Sequence, residues 1–121
     1  MINYKLKGMG VALVTPFNED ESINYDTLAR LIEYQIKNGT DYLVVCGTTA
    51  ETPTLTDQEK EEIRKFVIQV NQERLPIVYG IGGNNTRHIV DTIRHTDLNG
   101  VDAILSVTPY YNKPSQEGLY R

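Results

Sequence analysis

Four short apolar runs recur along the chain: residues 11–14 (VALV), 42–46 (YLVVC), 77–79 (IVY) and 103–107 (AILSV). Their starts lie about 30 residues apart, the length of one strand–helix unit. The runs are rich in Val and Ile and do not alternate apolar with polar residues, as strands covered on both faces of a parallel sheet read. A chain built this way must return to the same end of its sheet after every strand, so each intervening segment has to be a crossover.

Those segments carry helix signals. Asn24 is placed to cap a helix whose apolar stripe is Leu28, Leu31, Ile32 and Ile36 and which Gly39 ends. Thr56 and Glu59 have the spacing of a capping box, in which each side chain takes the other's free backbone N–H. The helix they open should bury Ile63, Phe66, Val67 and Val70, and Pro76 should block its continuation. A third helix should begin near Thr86, with Asn84 or Thr86 as cap. It should bury Ile89, Val90 and Ile93, and stop at Asn99-Gly100. A further helix is expected after Pro114. The order β-α-β-α-β-α-β suits either a small doubly wound sheet or half of a (β/α)8 barrel, since a full barrel takes ~250 residues.

The unusual residues sort to one side of this scheme. Thr15-Pro16-Phe17, Gly47-Thr48-Thr49-Ala50-Glu51-Thr52, Gly80-Ile81-Gly82-Gly83-Asn84 and Thr108-Pro109-Tyr110-Tyr111 each follow a strand, whereas the loops into strands are plain. Parallel β/α proteins place their sites at the carboxyl ends of strands. Gly47-Thr48-Thr49 offers a tight turn with two hydroxyls, suited to a small carboxylate and to relaying a proton; an ordinary polar turn fits the same residues. Tyr110-Tyr111 supplies either packing surface or a phenol acting as acid, base or lid. The glycine loop at residues 80–84 lacks the Lys-Ser/Thr of a phosphate loop and reads as a strand-to-helix turn; a nucleotide-binding reading rests on it alone.

Several classes of function are excluded. The formal net charge of −4 argues against nucleic acid or an anionic membrane as partner. Cys46, the single cysteine, permits no internal disulfide and fits a buried structural thiol in a reducing compartment. His88 and His95 have no third ligand nearby in sequence, so no metal is expected. Glu59, Glu61 and Glu62 read as a solvated helix start that suits the helix dipole. Residues 1–16 place Lys5 and Lys7 before an apolar stretch, as a leader would, but end in Thr15-Pro16-Phe17 instead of a small-residue cleavage site. No apolar run approaches the ~20 residues of a membrane span, and a cytoplasmic protein is expected. Among the lysines (Lys5, Lys7, Lys37, Lys60, Lys65 and Lys113) none falls in a strand, where burial would lower its pKa enough for Schiff-base chemistry.

The segments GMGVALVTPF (residues 8–17), GTTAET (47–52) and TPYYNKPSQEGLY (108–120) resemble the dihydrodipicolinate synthase family, which belongs to the pyruvate-dependent, class I aldolase-like lyases with N-acetylneuraminate lyase. The resemblance covers essentially the whole chain. It implies an α/β fold, the N-terminal half (about four βα units) of a (β/α)8 TIM barrel, with residues 1–121 as one partial domain cut after the fourth strand and its loop. It implies a condensation of pyruvate with L-aspartate 4-semialdehyde on the diaminopimelate route to lysine, through a lysine Schiff base. No cofactor is required, and the intact enzyme is a homotetramer of tight dimers. Thr49 matches the residue that holds the pyruvate carboxylate, Thr48 the centre of a hydroxyl relay, and Tyr111 the tyrosine that reaches into the neighbouring subunit's site. The third relay member, the Schiff-base lysine and an arginine for the second substrate fall beyond residue 121, so the chain alone should be inactive. A half barrel also exposes sheet edges and its inner face, which predicts oligomerisation, aggregation or partner binding.

Two departures from the family pattern stand out. Ala50 replaces the usual glycine, a mild change if its φ is negative. The positions of the lysine effector site in sensitive members are Thr52, Asp57, Lys60, Asn84, His88 and Tyr110. Asn84 and Tyr110 match the effector's ligands, whereas Asp57, Lys60 and His88 stand where sensitive enzymes often have His, His and Glu. Lys60 repels a cationic effector, so weak or absent feedback is expected. The alternatives are a neuraminate or keto-deoxy-sugar-acid lyase and a non-catalytic piece that binds a carboxylate or docks to a barrel partner.

Overall fold

The computed structural model describes residues 4–121. The first three residues of the stretch weighed as a leader therefore lie outside the described residues. Four parallel strands, β1 (Gly10–Ala12), β2 (Tyr42–Val45), β3 (Ile77–Gly80) and β4 (Ala103–Leu105), form one sheet in the order β1-β2-β3-β4. Helices α1 (Tyr25–Lys37), α2 (Asp57–Asn71) and α3 (Thr86–His95) make the crossovers, and a short α4 (Gln116–Tyr120) follows β4. Strand order equal to chain order means that the winding never reverses. With right-handed crossovers all three helices fall on one face, which excludes a doubly wound sheet.

β1, β2 and β4 stop short of their apolar runs at the carboxyl end, while β3 runs one residue past its own. Cys46 leaves the ladder because its φ is +54°, and Val14 and Thr15 lie beyond the end of β1. The strand registers split the sheet into two faces. Leu13, Leu43, Val45, Ile77 and Tyr79 are buried in the core. On the opposite face Val78 is buried at the centre, but Ala12, Val14, Leu105 and Val107 remain exposed, so this side is apolar and largely open.

The core is densest between the first two crossovers. Leu28 and Ile32 of α1 and Ile63 and Val67 of α2 are all at most 3% exposed. The Tyr25 and Phe66 rings meet between the two helices with centroids 4.9 Å apart. Asn24 caps α1 by accepting the Thr27 N–H (2.8 Å), and the Thr56–Glu59 capping box forms in full. No residue of α3 is buried, and Val90 is exposed, against expectation, because no further element covers that side of its stripe.

Gly39 ends α1 as expected: Lys37 is the last helical residue, Asn38 is its cap, and Gly39 follows at φ +83°. The other two helix ends differ from the sequence reading. Pro76 does not stop α2. The helix ends at Asn71, where Gln72 and Glu73 turn left-handed and the Asn71 amide bonds both the carbonyl and the N–H of Leu75. The N-cap of α3 is Asn85, which accepts the His88 N–H, and the helix ends at His95 with Thr96 as its C-cap, ahead of Asn99-Gly100. Asn84 is thereby freed for another bond.

Candidate active site

The carboxyl end of β2 is where the chain departs most from regular backbone. Cys46 is left-handed, Gly47 is extended, residues Thr48–Ala50 form a single 3-10 turn, and Glu51 is left-handed again (φ +56°) before a second 3-10 turn, Thr52–Thr54. The expectation that Gly47 supplies the tight turn is corrected: the inversion falls on Cys46. Its physical reason lies on the next strand. A side chain at Gly80 would put its Cβ 2.0 Å from the Cys46 carbonyl oxygen, whereas one at Gly47 would meet nothing closer than 3.5 Å. Glycine is therefore required across the sheet from the turn. Ala50 does not have positive φ, so its methyl is accommodated, and the residue is buried.

The turn closes through the Ala50 N–H to the Gly47 carbonyl (3.1 Å) and the Glu51 N–H to the Thr48 carbonyl (3.0 Å). A second support escaped the sequence reading. The buried Thr15 hydroxyl donates to the Ala50 carbonyl at 2.8 Å. Its signal was the odd cluster Thr15-Pro16-Phe17 after the first strand. Thr48 and Thr49 are exposed on this turn. Their hydroxyls take no hydrogen bond among the described residues, so both can serve a ligand.

Thr48 shares a cleft with Thr52, Pro53, Lys60, Val107 and Tyr110. Tyr111 does not line this cleft; it is 92% exposed. Within one chain the structure therefore brings Thr48 to Tyr110 and leaves Tyr111 in solvent. The loop that carries both tyrosines is tied back by Asn84, whose side-chain oxygen accepts the Tyr110 N–H at 2.8 Å. Thr52, Asp57, Lys60 and His88 line one adjoining cleft floored by Tyr79 and Cys46. Five of the six positions assigned to effector recognition thus line two clefts that share Thr52 and Lys60, and Asn84 is bonded to the fifth, Tyr110.

Electrostatics limit what these groups can do. The Lys60 ammonium pairs with Asp57 at 3.1 Å, an exposed pair worth little on its own. Burial pushes the Cys46 thiol up to about 12, so it stays protonated and is no nucleophile near neutrality. Burial also pushes the Tyr79 phenol above its ordinary value, and the phenol donates to the Lys60 carbonyl at 3.3 Å. Lys5 lies in a 3-10 turn and Lys37, Lys60 and Lys65 lie on helices, while Lys7 and Lys113 fall outside helices and strands. No lysine therefore stands on a strand. Among the described residues no cluster of His, Cys, Asp or Glu is arranged to hold a metal, and no helix is long and apolar enough to cross a membrane.

Comparison with known proteins bears on this geometry. The model of the Dihydrodipicolinate synthetase family matches residues 5–121. The 4-hydroxy-tetrahydrodipicolinate synthase of Parabacteroides distasonis is 60% identical over 121 residues, covering 100% of this chain and 41% of that protein. That of Phocaeicola vulgatus is 57% identical with the same coverage. Among solved structures, dihydrodipicolinate synthase from Aquifex aeolicus superposes with a TM-score of 0.84 at 46% identity over 93% of this chain and 38% of that one. The Thermotoga maritima enzyme gives 0.90 at 37% identity, over 97% of this chain and 39% of that one.

Proposed function

This chain belongs to the dihydrodipicolinate synthetase family, and from that membership we propose that it is the amino-terminal half-barrel of a synthase that condenses pyruvate with L-aspartate 4-semialdehyde. The chain spans about 41% of the length of the curated relatives it matches. The half-barrel reading is supported by the unreversed strand order and by the open apolar face, which suits the lumen of a barrel whose remaining strands come from elsewhere.

The observation that carries the reading is the Thr48–Ala50 turn. It presents two free hydroxyls at the carboxyl end of a parallel strand, on a family background in which pyruvate is bound; the Acinetobacter baumannii synthase structure is described as complexed with pyruvate. In this proposal Thr49 holds the pyruvate carboxylate and Thr48 passes a proton. Tyr111, too exposed to act in its own chain's cleft, serves the site of a second subunit across a tight dimer. The Schiff-base lysine has no counterpart among the lysines here, so it belongs to the portion of the synthase beyond residue 121. The half-buried Lys60 ammonium and the His88 imidazole disfavour a lysine effector in the Thr52–Asp57–Lys60–His88 cleft, and weak or absent feedback follows.

Borohydride trapping tests the division of labour. The 121-residue chain with pyruvate is expected to give no reduced adduct, and the complete synthase to give one. A stable adduct on this chain overturns the proposal. Calorimetry with pyruvate separates binding from inert structure: Thr49→Val should abolish any heat that the unaltered protein shows, through loss of a hydrogen bond to a charged carboxylate, about 1.5–3 kcal/mol.

A further inference from the structure

The geometry assigns Thr15 the role of a positioning residue: its hydroxyl fixes the peptide that aims Thr48 and Thr49. Four polar or charged side chains are buried among the described residues: Thr15, Thr40, Arg64 and Asn71. Thr40 bonds Gln35, Arg64 bonds Glu61 and Asn71 bonds Leu75, all within a few residues of themselves. Thr15 alone among these reaches from the segment after β1 to the turn after β2, 35 residues along the chain, at the Ala50 carbonyl.

That carbonyl belongs to the peptide entering Glu51, one of the two left-handed residues that bracket the turn. A non-glycine residue stays in this region only where its surroundings over-determine it. At the Cys46 end the missing side chain of Gly80 makes room for the inverted carbonyl. At the Glu51 end the Thr15 hydroxyl holds the Ala50–Glu51 peptide in the orientation that the inversion needs. Without that donor the Ala50 carbonyl is a buried acceptor short of a partner, and the turn can relax by rotating this peptide. The hydroxyls of Thr49 and Thr48, one and two residues upstream, then lose their direction. The inference rests on the proposed function for what those hydroxyls do, but the clamp itself does not.

Thr15→Val removes the hydroxyl at nearly constant shape, and Thr15→Ser restores it. Amide exchange on the 121-residue chain is expected to speed up about tenfold at Ala50 and Glu51 in Thr15→Val, with Leu43 and Val78 little changed and Thr15→Ser like the unaltered chain. Unchanged rates at Ala50 and Glu51, or an equal rise at every amide, overturn the clamp. In the complete synthase Thr15→Val should lower kcat about 100-fold, and Thr15→Ser should recover most of it. An unchanged kcat in an active synthase overturns the positioning role. A complete protein without condensation activity, but with the expected exchange pattern, sinks the proposed function and leaves the clamp standing.

Discussion

At the amino-terminal end of the sheet, side chains are used to close backbone. The Asp41 carboxylate accepts the Met9 N–H (2.6 Å), and Asp102 accepts the Ile77 N–H (3.0 Å) while pairing with the Lys5 ammonium (2.8 Å). Asn71 closes the turn that leads toward β3. The carboxyl-terminal end also uses side chains this way, at Thr15 and Asn84, and each end has two left-handed non-glycine residues, Gln72 and Glu73 at one, Cys46 and Glu51 at the other. What differs is that the hydroxyls of Thr48 and Thr49 are unengaged and Tyr111 stands in solvent. One end satisfies its polar groups locally and carries stability. The other keeps some of them open to a ligand, the division expected of a parallel β/α sheet. Substitutions at the two ends should therefore fail in different ways.

The largest difference is expected between two glycines with equally close neighbours. A Cβ at Gly80 would lie 2.0 Å from the Cys46 backbone oxygen, and one at Gly10, at the opposite end, 2.0 Å from the Tyr42 ring. A ring can swing aside, but a strand carbonyl cannot move without taking the turn with it. Gly80→Ala should cost about 3 kcal/mol or more in urea unfolding, and Gly10→Ala about 1 kcal/mol. Equal losses would mean that the Cys46 inversion is not locked against β3.

A smaller difference separates a stapling carboxylate from a ligand hydroxyl. Burial works to raise the Asp102 carboxyl, but the Lys5 ammonium and the Ile77 N–H together outweigh it and hold the group below its ordinary value. Its contribution is thus present above pH ~4 and lost as pH falls through the lowered value. Asp102→Asn should cost about 2 kcal/mol at neutral pH and flatten the acid limb of the stability profile. Thr49→Val should leave stability within about 0.5 kcal/mol while removing carboxylate binding. A large stability loss in Thr49→Val would place that residue in the frame instead of the site.

The contrast between the two ends was only half visible in the sequence. The spacing of the apolar runs, the Asn24 cap and the Thr56–Glu59 box were legible because each is local, set by residues within a turn of one another. So was the collection of Thr and Tyr at strand carboxyl ends. What escaped was non-local. Glycine's backbone freedom pointed to Gly47 as the inverted residue, yet the constraint came from Gly80 on the adjacent strand. The Thr15–Ala50 bond spans too much chain to be read from spacing. The burial of Arg64 and Asn71 has no signal in the pattern of apolar residues; it is possible because Glu61 and the Leu75 backbone satisfy them. The stripe of α3 was read correctly as a stripe, but periodicity does not say whether anything covers it, and Val90 is exposed. Tyr111 was legible as a candidate by its loop, whereas its separation from the Thr48 cleft depends on the path of the chain after β4.

The last effect belongs to Cys46, and it extends the contrast to alkaline pH. Burial raises its thiol from 9.0 to about 12. Below pH ~8 the thiol is protonated in both folded and unfolded chains and adds no pH dependence. Above 9 the unfolded chain gives up its proton while the folded one keeps it. The unfolded state then binds fewer protons, so stability falls as pH rises, through a window from about 9 to about 12. Between pH 8 and pH 10 the loss should be about 1 kcal/mol, before Tyr79, whose ordinary value is 10.0, contributes much. In Cys46→Ala the stability measured by urea should stay level across that interval. If the variant keeps the slope, the alkaline limb comes from elsewhere and Cys46 is less enclosed than the turn requires. If it loses the slope, the onset of the alkaline limb belongs to Cys46 at the carboxyl-terminal end of the sheet, whereas the acid limb is shared by Asp102 with the lowered carboxyls of Glu33, Glu59 and Glu61.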